Sequence, residues 1–118
     1  MNMKINSARR YDSPEDFFNL GGSVVMKLSA DCAIAVCKQA AGRGFVVIRI
    51  EGGIWHAPGF EARLDCIWDG IDPPTDRSAA EKNNTAAAEF VRDERYLHDV
   101  YVITALHISD RTPGLASV

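Results

Sequence analysis

The sequence has no long hydrophobic run and few cysteines. No apolar stretch approaches the roughly 18 residues that a membrane-spanning helix needs, and residues 1–7 lack the apolar core of a signal peptide. We therefore expect a cytoplasmic protein with no membrane partner. The three cysteines, Cys32, Cys37 and Cys66, cannot all pair within one chain, so we expect free thiols buried as small apolar side chains.

The chain also lacks the motifs of a catalytic or cofactor site. Gly21-Gly22 and Gly52-Gly53 have neither the lysine nor the helix start of a phosphate-binding loop, so both are interpreted as turns. Cys32 and Cys37 have no histidine or cysteine at zinc-ligand spacing nearby. We expect no metal, cofactor or catalytic residue, and we expect the three histidines to be surface or turn residues: His56, His98 and His107.

Cations are scarce in one part of the chain. The net charge of the 118 residues is -3. Residues 51–76 contain one cation, Arg63, against six acids: Glu51, Glu61, Asp65, Asp69, Asp72 and Asp76. Such a segment repels phosphate and attracts cationic surfaces, which argues against nucleic acid as a partner. The alternative interpretation is a solvated region that only keeps the protein soluble.

Helix signals occur at three places. Ser13-Pro14-Glu15-Asp16 followed by Gly21-Gly22 predicts a short helix with a glycine stop. Ser29 is a candidate N-cap for a helix over roughly 30–41. Ser78-Ala79-Ala80-Glu81 matches a capping box and predicts a helix that ends at about Tyr96.

Three strands are predicted: residues 45–51, 61–69 and 100–108, from their β-branched content or alternating pattern. The middle one would turn Ala62, Leu64, Cys66 and Trp68 toward the core, and residues 52–59 would form a long hairpin loop. This order predicts an α+β fold, an antiparallel or mixed sheet of three to four strands with two main helices on one face. The last strand could lie parallel to the second, with the first between them. We divide the chain into an N-terminal extension with a short helix (1–25), the α+β domain (26–108) and a mobile tail (109–118).

Two tryptophans flank the acidic segment. Trp68 alternates with Leu64 and Cys66, which favours core packing. Trp55 lies among glycines and a proline, where it is either an aromatic anchor for a partner or a plug at the margin of the sheet.

The segment from Met26 resembles the immunity proteins of the tRNA-cleaving E-five colicin family. The residues that carry the resemblance are Met26-Lys27-Leu28-Ser29, Ala33-Ile34, Val36-Cys37, Ala40-Ala41, Gly44, Ile50-Glu51-Gly52-Gly53, Trp55, Pro58-Gly59-Phe60, Trp68, Asn83-Asn84 and Ile103-Thr104. It covers about residues 26–108, and the Gly-Gly-x-Trp-x-x-Pro-Gly-Phe stretch is its most specific part. Ile54 and Ala57 depart from the pattern by replacing polar residues beside Trp55.

The resemblance implies a non-enzymatic inhibitor that binds the C-terminal ribonuclease domain of a bacteriocin or contact-dependent toxin, one to one, and covers its substrate cleft. Such a cleft is cationic and stacks bases, so carboxylates and an aromatic side chain could occupy it as a substrate mimic. The predicted partner-binding residues are Glu51, Trp55, His56, Asp65, Trp68, Asp69, Asp72 and Asp76. Two alternatives remain: a small ligand-binding module, and a small hydrolase or nuclease that uses His56 or His107 with Asp65 or Asp69.

Overall fold

The computed structural model describes residues 5–57 and 59–110. Three α-helices are present: α1 (Pro14–Leu20), α2 (Ala30–Ala40), which continues into a 3-10 turn at Ala41–Arg43, and α3 (Arg77–Glu94). Five strands accompany them: β1 (Arg10–Tyr11), β2 (Lys27–Leu28), β3 (Phe45–His56), β4 (Gly59–Asp69) and β5 (Val100–His107). The α+β class is confirmed, but the sheet has five strands instead of the three to four predicted, because β1 and β2 are too short to leave a periodic signal. The predicted mobile tail lies outside the described residues from position 111 onward.

The helix ends follow local chemistry. Pro14 occupies the first turn of α1, and Gly21 closes this helix in the left-handed conformation with φ 66°. The Ser29 hydroxyl accepts a hydrogen bond from the Cys32 amide at 3.2 Å, as expected of the α2 N-cap. The capping prediction for Ser78 is wrong. Asp76 caps α3 instead, because its carboxylate accepts the Ala79 amide at 2.7 Å, and the helix ends at Glu94 rather than near Tyr96.

The sheet has the strand order β1-β2-β5-β3-β4. Strand β3 pairs antiparallel with both β4 and β5, so β4 and β5 run parallel with β3 between them, which confirms the predicted arrangement of the three long strands. β1 and β2 pair in parallel, and the sheet is therefore mixed.

The core lies between one face of the sheet and the helices α2 and α3. Ile50 and Ile103 face each other across β3 and β5 and share a buried cluster with Val36 of α2 and Val91 of α3. All three cysteines are free and buried, as predicted. Residues before Met26 join the same core, since the side chains of Tyr11 and Phe17 are only 3% and 4% exposed.

The predicted long loop at 52–59 is wrong. β3 continues to His56, which pairs with Gly59. Between the pairs Glu51–Ile67 and Gly53–Ala62, β3 has one residue and β4 has four, so β4 bulges over residues 63–66. The bulge breaks the predicted alternation, and Leu64 is 90% exposed instead of facing the core.

Two buried asparagines of α3 complete the sheet where β4 ends. β4 pairs with β3 only as far as Arg49, which leaves the backbone at 45–47 without a strand on that side. Asn84 Oδ1 accepts the Val47 amide at 2.9 Å, and Asn84 Nδ2 donates to the Phe45 carbonyl at 3.0 Å. Asn83 Nδ2 donates to the Val47 carbonyl at 2.7 Å. The asparagine side chains therefore replace a strand in satisfying these backbone groups.

Candidate partner-binding face

One face of the sheet carries charged and aromatic side chains, and the other is covered by α2 and α3. Cross-strand pairing places Arg49 opposite Asp69, and Trp55 opposite Phe60. Directly paired residues point to the same side of a sheet, and residues two apart along a strand share a side. Arg49, Glu51, Trp55, Phe60 and Asp69 therefore lie on the side opposite Ile50 and Ile103, and we name these five residues the outer face.

Arg49 organises the two carboxylates of the outer face. Its Nη1 lies 2.7 Å from Asp69 Oδ1, and its Nε lies 3.3 Å from Glu51 Oε2. The hydrogen bond with Glu51 and the nearby charge of Asp69 raise the pKa of Arg49. The side chains of Glu51 and Asp69 remain 44% and 66% exposed, so both can still meet an incoming cation. Sequence reasoning did not assign Arg49 to the site, although its alternation with Glu51 put both on one strand face.

The backbone of Trp55 is fixed by Asp99, which precedes β5. Asp99 Oδ1 accepts the Trp55 amide at 2.8 Å, and the Asp99 amide donates to the Gly53 carbonyl at 3.0 Å. Arg10 of β1 donates in turn to the Asp99 carbonyl at 3.1 Å. The end of the hairpin is therefore held at a defined position. No local signal in the sequence marks Asp99 for this role.

Gly53 lets the two strands approach closely beside Trp55. A Cβ atom at this position would collide with the Glu61 carbonyl oxygen and with the Phe60 ring. The Phe60 ring therefore packs over Gly53, next to the partly exposed Trp55. The Gly-Gly-x-Trp stretch thus shapes an aromatic pair at the end of the hairpin.

The remaining predicted site residues are spread over other surfaces. His56 Nε2 lies 2.8 Å from Glu61 Oε1, and Asp65 is exposed in the β4 bulge. Trp68 pairs with Ile50 on the helix-covered side and packs against the core. Asp72 and Asp76 are exposed in the β4–α3 connection, where Asp76 already caps α3. The structure therefore puts Glu51, Trp55 and Asp69 on one face of the sheet, with the two carboxylates near Arg49 and Trp55 farther along at the end of the hairpin. Trp68 lies on the opposite face, and Asp72 and Asp76 lie in the connection to α3.

The histidines proposed for a hydrolase have other partners. His56 contacts Glu61 rather than Asp65 or Asp69. His107 Nδ1 lies 3.2 Å from Ser109 Oγ, but Asp110 accepts the backbone amide of His107 and does not orient its ring. His56 and His107 are exposed, as predicted, whereas the prediction for His98 is wrong because His98 is only 7% exposed.

A cleft with a volume of about 450 Å³ lies beside the start of α2, and none of the five outer-face residues lines it. Its charged lining residues are Arg10, Asp12, Asp31, Arg95 and Asp99. Its cations are already paired: Arg95 Nη2 is 2.8 Å from Asp31 Oδ1, and Arg10 Nη1 is 3.6 Å from Asp99 Oδ2. This pairing does not favour the binding of an anionic metabolite.

A sheet face that none of the described helices covers, with ordered carboxylates and a cross-strand pair of aromatic residues, is typical of a protein-docking surface. The sequence model of the Colicin-E5 Imm protein family matches residues 26–106. Among curated proteins, the chain is 71% identical over 107 residues to the immunity protein CdiI of Burkholderia pseudomallei, covering 91% of this chain and 98% of that protein. It is 38% identical over 69 residues to the Colicin-E5 immunity protein of Escherichia coli, covering 58% of this chain and 83% of that protein.

The chain therefore belongs to the colicin-E5 immunity family. Residues 26–118 alone cannot supply the 107 positions aligned with CdiI, so that similarity extends into the first 25 residues. No helix within the described ranges is long and apolar enough to cross a membrane.

Proposed function

We propose that this chain binds the C-terminal ribonuclease domain of a cognate bacteriocin or contact-dependent toxin, one to one in the cytoplasm, and inhibits it by occupying the substrate cleft. Membership of an immunity family supports the inhibitory role. The observation that carries the mechanism is the outer face, where Arg49 contacts Glu51 and Asp69, and Trp55 and Phe60 lie farther along the same face at the end of the hairpin.

The charges and aromatics of the outer face match what a ribonuclease cleft binds. Such a cleft presents cations to phosphates and flat surfaces to bases. The carboxylates of Glu51 and Asp69 would pair with toxin cations in place of phosphates, and Trp55 would stack in place of a base. Because Arg49 fixes both carboxylates before binding, little side-chain entropy would be lost on association.

The decisive experiment combines binding with protection. The purified chain is mixed with the toxin domain encoded by the adjacent gene, the dissociation constant is measured by calorimetry, and tRNA cleavage is followed. We expect stoichiometric inhibition. We expect Trp55→Ala to weaken binding by about 30-fold or more, as for an interface hot spot.

The carboxylate claim has a matched control. The double substitution Glu51→Gln/Asp69→Asn removes two charges with little change in shape, and we expect it to slow association and to reduce the dependence of binding on salt. Glu89→Gln removes an exposed charge from α3, on the other side of the sheet, and should leave binding within about twofold. Equal binding by the double variant and wild type would exclude the substrate-mimic mechanism, and uninhibited cleavage by wild type would exclude this toxin.

A further inference from the structure

Three side chains of metal-ligand type converge where β4 leaves its bulge and α3 ends. One ligand atom each of Cys66, Glu94 and His98 lies within 4.8 Å of the other two. Cys66 is fully buried in β4, Glu94 is the last residue of α3, and His98 lies in the connection to β5. The sequence shows no metal-ligand spacing for this group, because its members come from three separate elements.

The ring of His98 is buried with an unsatisfied nitrogen. His98 Nδ1 is inaccessible to solvent and has no hydrogen-bond partner among the described residues. Glu94 Oε1 lies 3.2 Å from this nitrogen but makes no hydrogen bond with it. Buried polar atoms without partners are rare in folded proteins, and this nitrogen lies beside a thiol and a carboxylate, where it is placed to act as a metal ligand.

The surrounding backbone holds these ligands in place. The Tyr101 hydroxyl donates to the His98 carbonyl at 3.1 Å. The Cys66 sulfur lies directly against Gly52, where a Cβ atom would overlap it. Glycine at position 52 is therefore required for the thiol to reach Glu94 and His98, which gives this half of the Gly52-Gly53 pair a role distinct from that of Gly53.

We propose that Cys66, Glu94 and His98 bind a zinc ion through one thiolate, one carboxylate and one imidazole nitrogen. Sulfur and imidazole ligands favour zinc over magnesium or calcium, which prefer oxygen. Three protein ligands leave the fourth tetrahedral position for water, which can enter beside the Glu94 side chain because that side chain is 30% exposed. On binding, the Cys66 thiol releases its proton to solvent and the sulfur donates its electron pair to the ion.

The ion would link the bulged strand β4 to the end of α3 and to the start of β5. His98 is adjacent to Asp99, which fixes the backbone of Gly53 and Trp55. Zinc would therefore stiffen the hairpin that carries Trp55 as well as the fold.

The test uses the full chain after chelator treatment, titrated with zinc or with cobalt(II) as a spectroscopic probe. We expect about one equivalent to bind, with release of about one proton near pH 7. Cobalt should give a sulfur-to-metal charge-transfer band in the near ultraviolet. A zinc concentration of one hundred times the dissociation constant should raise Tm by about 10 °C.

Variants assign the site. Cys66→Ala and His98→Gln should each lose the cobalt charge-transfer band and the zinc-dependent rise in Tm. Cys37→Ala removes a buried thiol from α2 and should keep both. The proposal is overturned if wild type binds no zinc, if its cobalt complex lacks the thiolate band, or if the Cys66 and His98 variants bind metal as wild type does. If either variant fails to fold, the presence or absence of the thiolate band in the wild-type cobalt spectrum tests the proposal alone.

Discussion

Individual buried thiols are expected to lower the stability of this protein at alkaline pH. Cys37 is fully buried in α2, and loss of solvation raises its pKa to about 12. Burial, with smaller effects from Asp12 and Asp16, raises the pKa of Cys32 to about 12 as well. An exposed cysteine in the unfolded chain titrates near a pH of about 8.5. Between these values the folded chain keeps protons that the unfolded chain releases.

We expect the free energy of unfolding to fall as pH rises above about 9. Below that pH, the thiols are protonated in both states and contribute no pH dependence. Above it, each thiol that stays protonated only in the folded chain lowers stability by up to about 1.4 kcal/mol per pH unit. Denaturant unfolding of wild type and Cys37→Ala between pH 8 and about 11 measures this, and the variant should show the shallower decline. Parallel curves would contradict the assignment to Cys37.

At the scale of elements, the Asn83–Asn84 pair determines how α3 attaches to β3. We expect Asn84→Ala to lower the free energy of unfolding by roughly 2–4 kcal/mol, because the Val47 amide and the Phe45 carbonyl would both lose their partner inside the protein. Lys82→Ala, at an exposed position of the same helix, should change stability by no more than about 0.5 kcal/mol. Chemical denaturation gives both values. A loss for Asn84→Ala as small as that of the control would mean that water replaces the amide.

Sequence reasoning predicted the elements whose causes are local. The α1 and α2 boundaries depend on Pro14, Gly21 and Ser29, and each acts within one turn of its own helix. The β4 bulge was not predictable, because it arises from unequal residue numbers on two paired strands. The structural roles of Asn83, Asn84 and Asp99 were not predicted either, because the backbone groups that they bind are distant in sequence.

The candidate site could likewise be predicted only where its features are local in the sequence. The acidic composition of residues 51–76 and the position of Trp55 could be identified from the sequence. Which of those acids share a face with Trp55 depends on strand pairing. Asp69 lies on that face because it pairs with Arg49, whereas Trp68 pairs with Ile50 and faces the core. Asp76 caps α3 through its carboxylate, a role that the sequence analysis gave to Ser78, and its binding to a partner stays a prediction.

At the scale of the whole molecule, residues 5–25 belong to the same folded structure as the residues that match the family model. Tyr11 and Phe17 are buried in the common core. The Ser23 hydroxyl exchanges hydrogen bonds with the Ala105 amide and carbonyl at 2.8 Å and 2.9 Å. Arg10 reaches Asp99, which holds the backbone of Trp55.

We therefore expect a chain that starts at Met26 to be less stable by about 3 kcal/mol or more, since burial of each large aromatic side chain contributes roughly 1.5–3 kcal/mol. Thermal unfolding of the truncated and full chains measures the loss. Phe17→Ala in the full chain is the companion variant and should account for part of it. Equal Tm for the two chains would show that residues 1–25 are a dispensable extension.

The β4 bulge has a further consequence for self-association. β4 is the last strand on its side of the sheet, and β1 at the other side has only two residues. A long, regular edge strand is a template on which a second copy can add its own strand, and bulges and charges are the usual protection. The bulge at residues 63–66 breaks the regular row of backbone groups along the outer edge of β4, and Arg63 and Asp65 are exposed there. The irregularity that exposes Leu64 therefore also guards the protein against edge-to-edge aggregation.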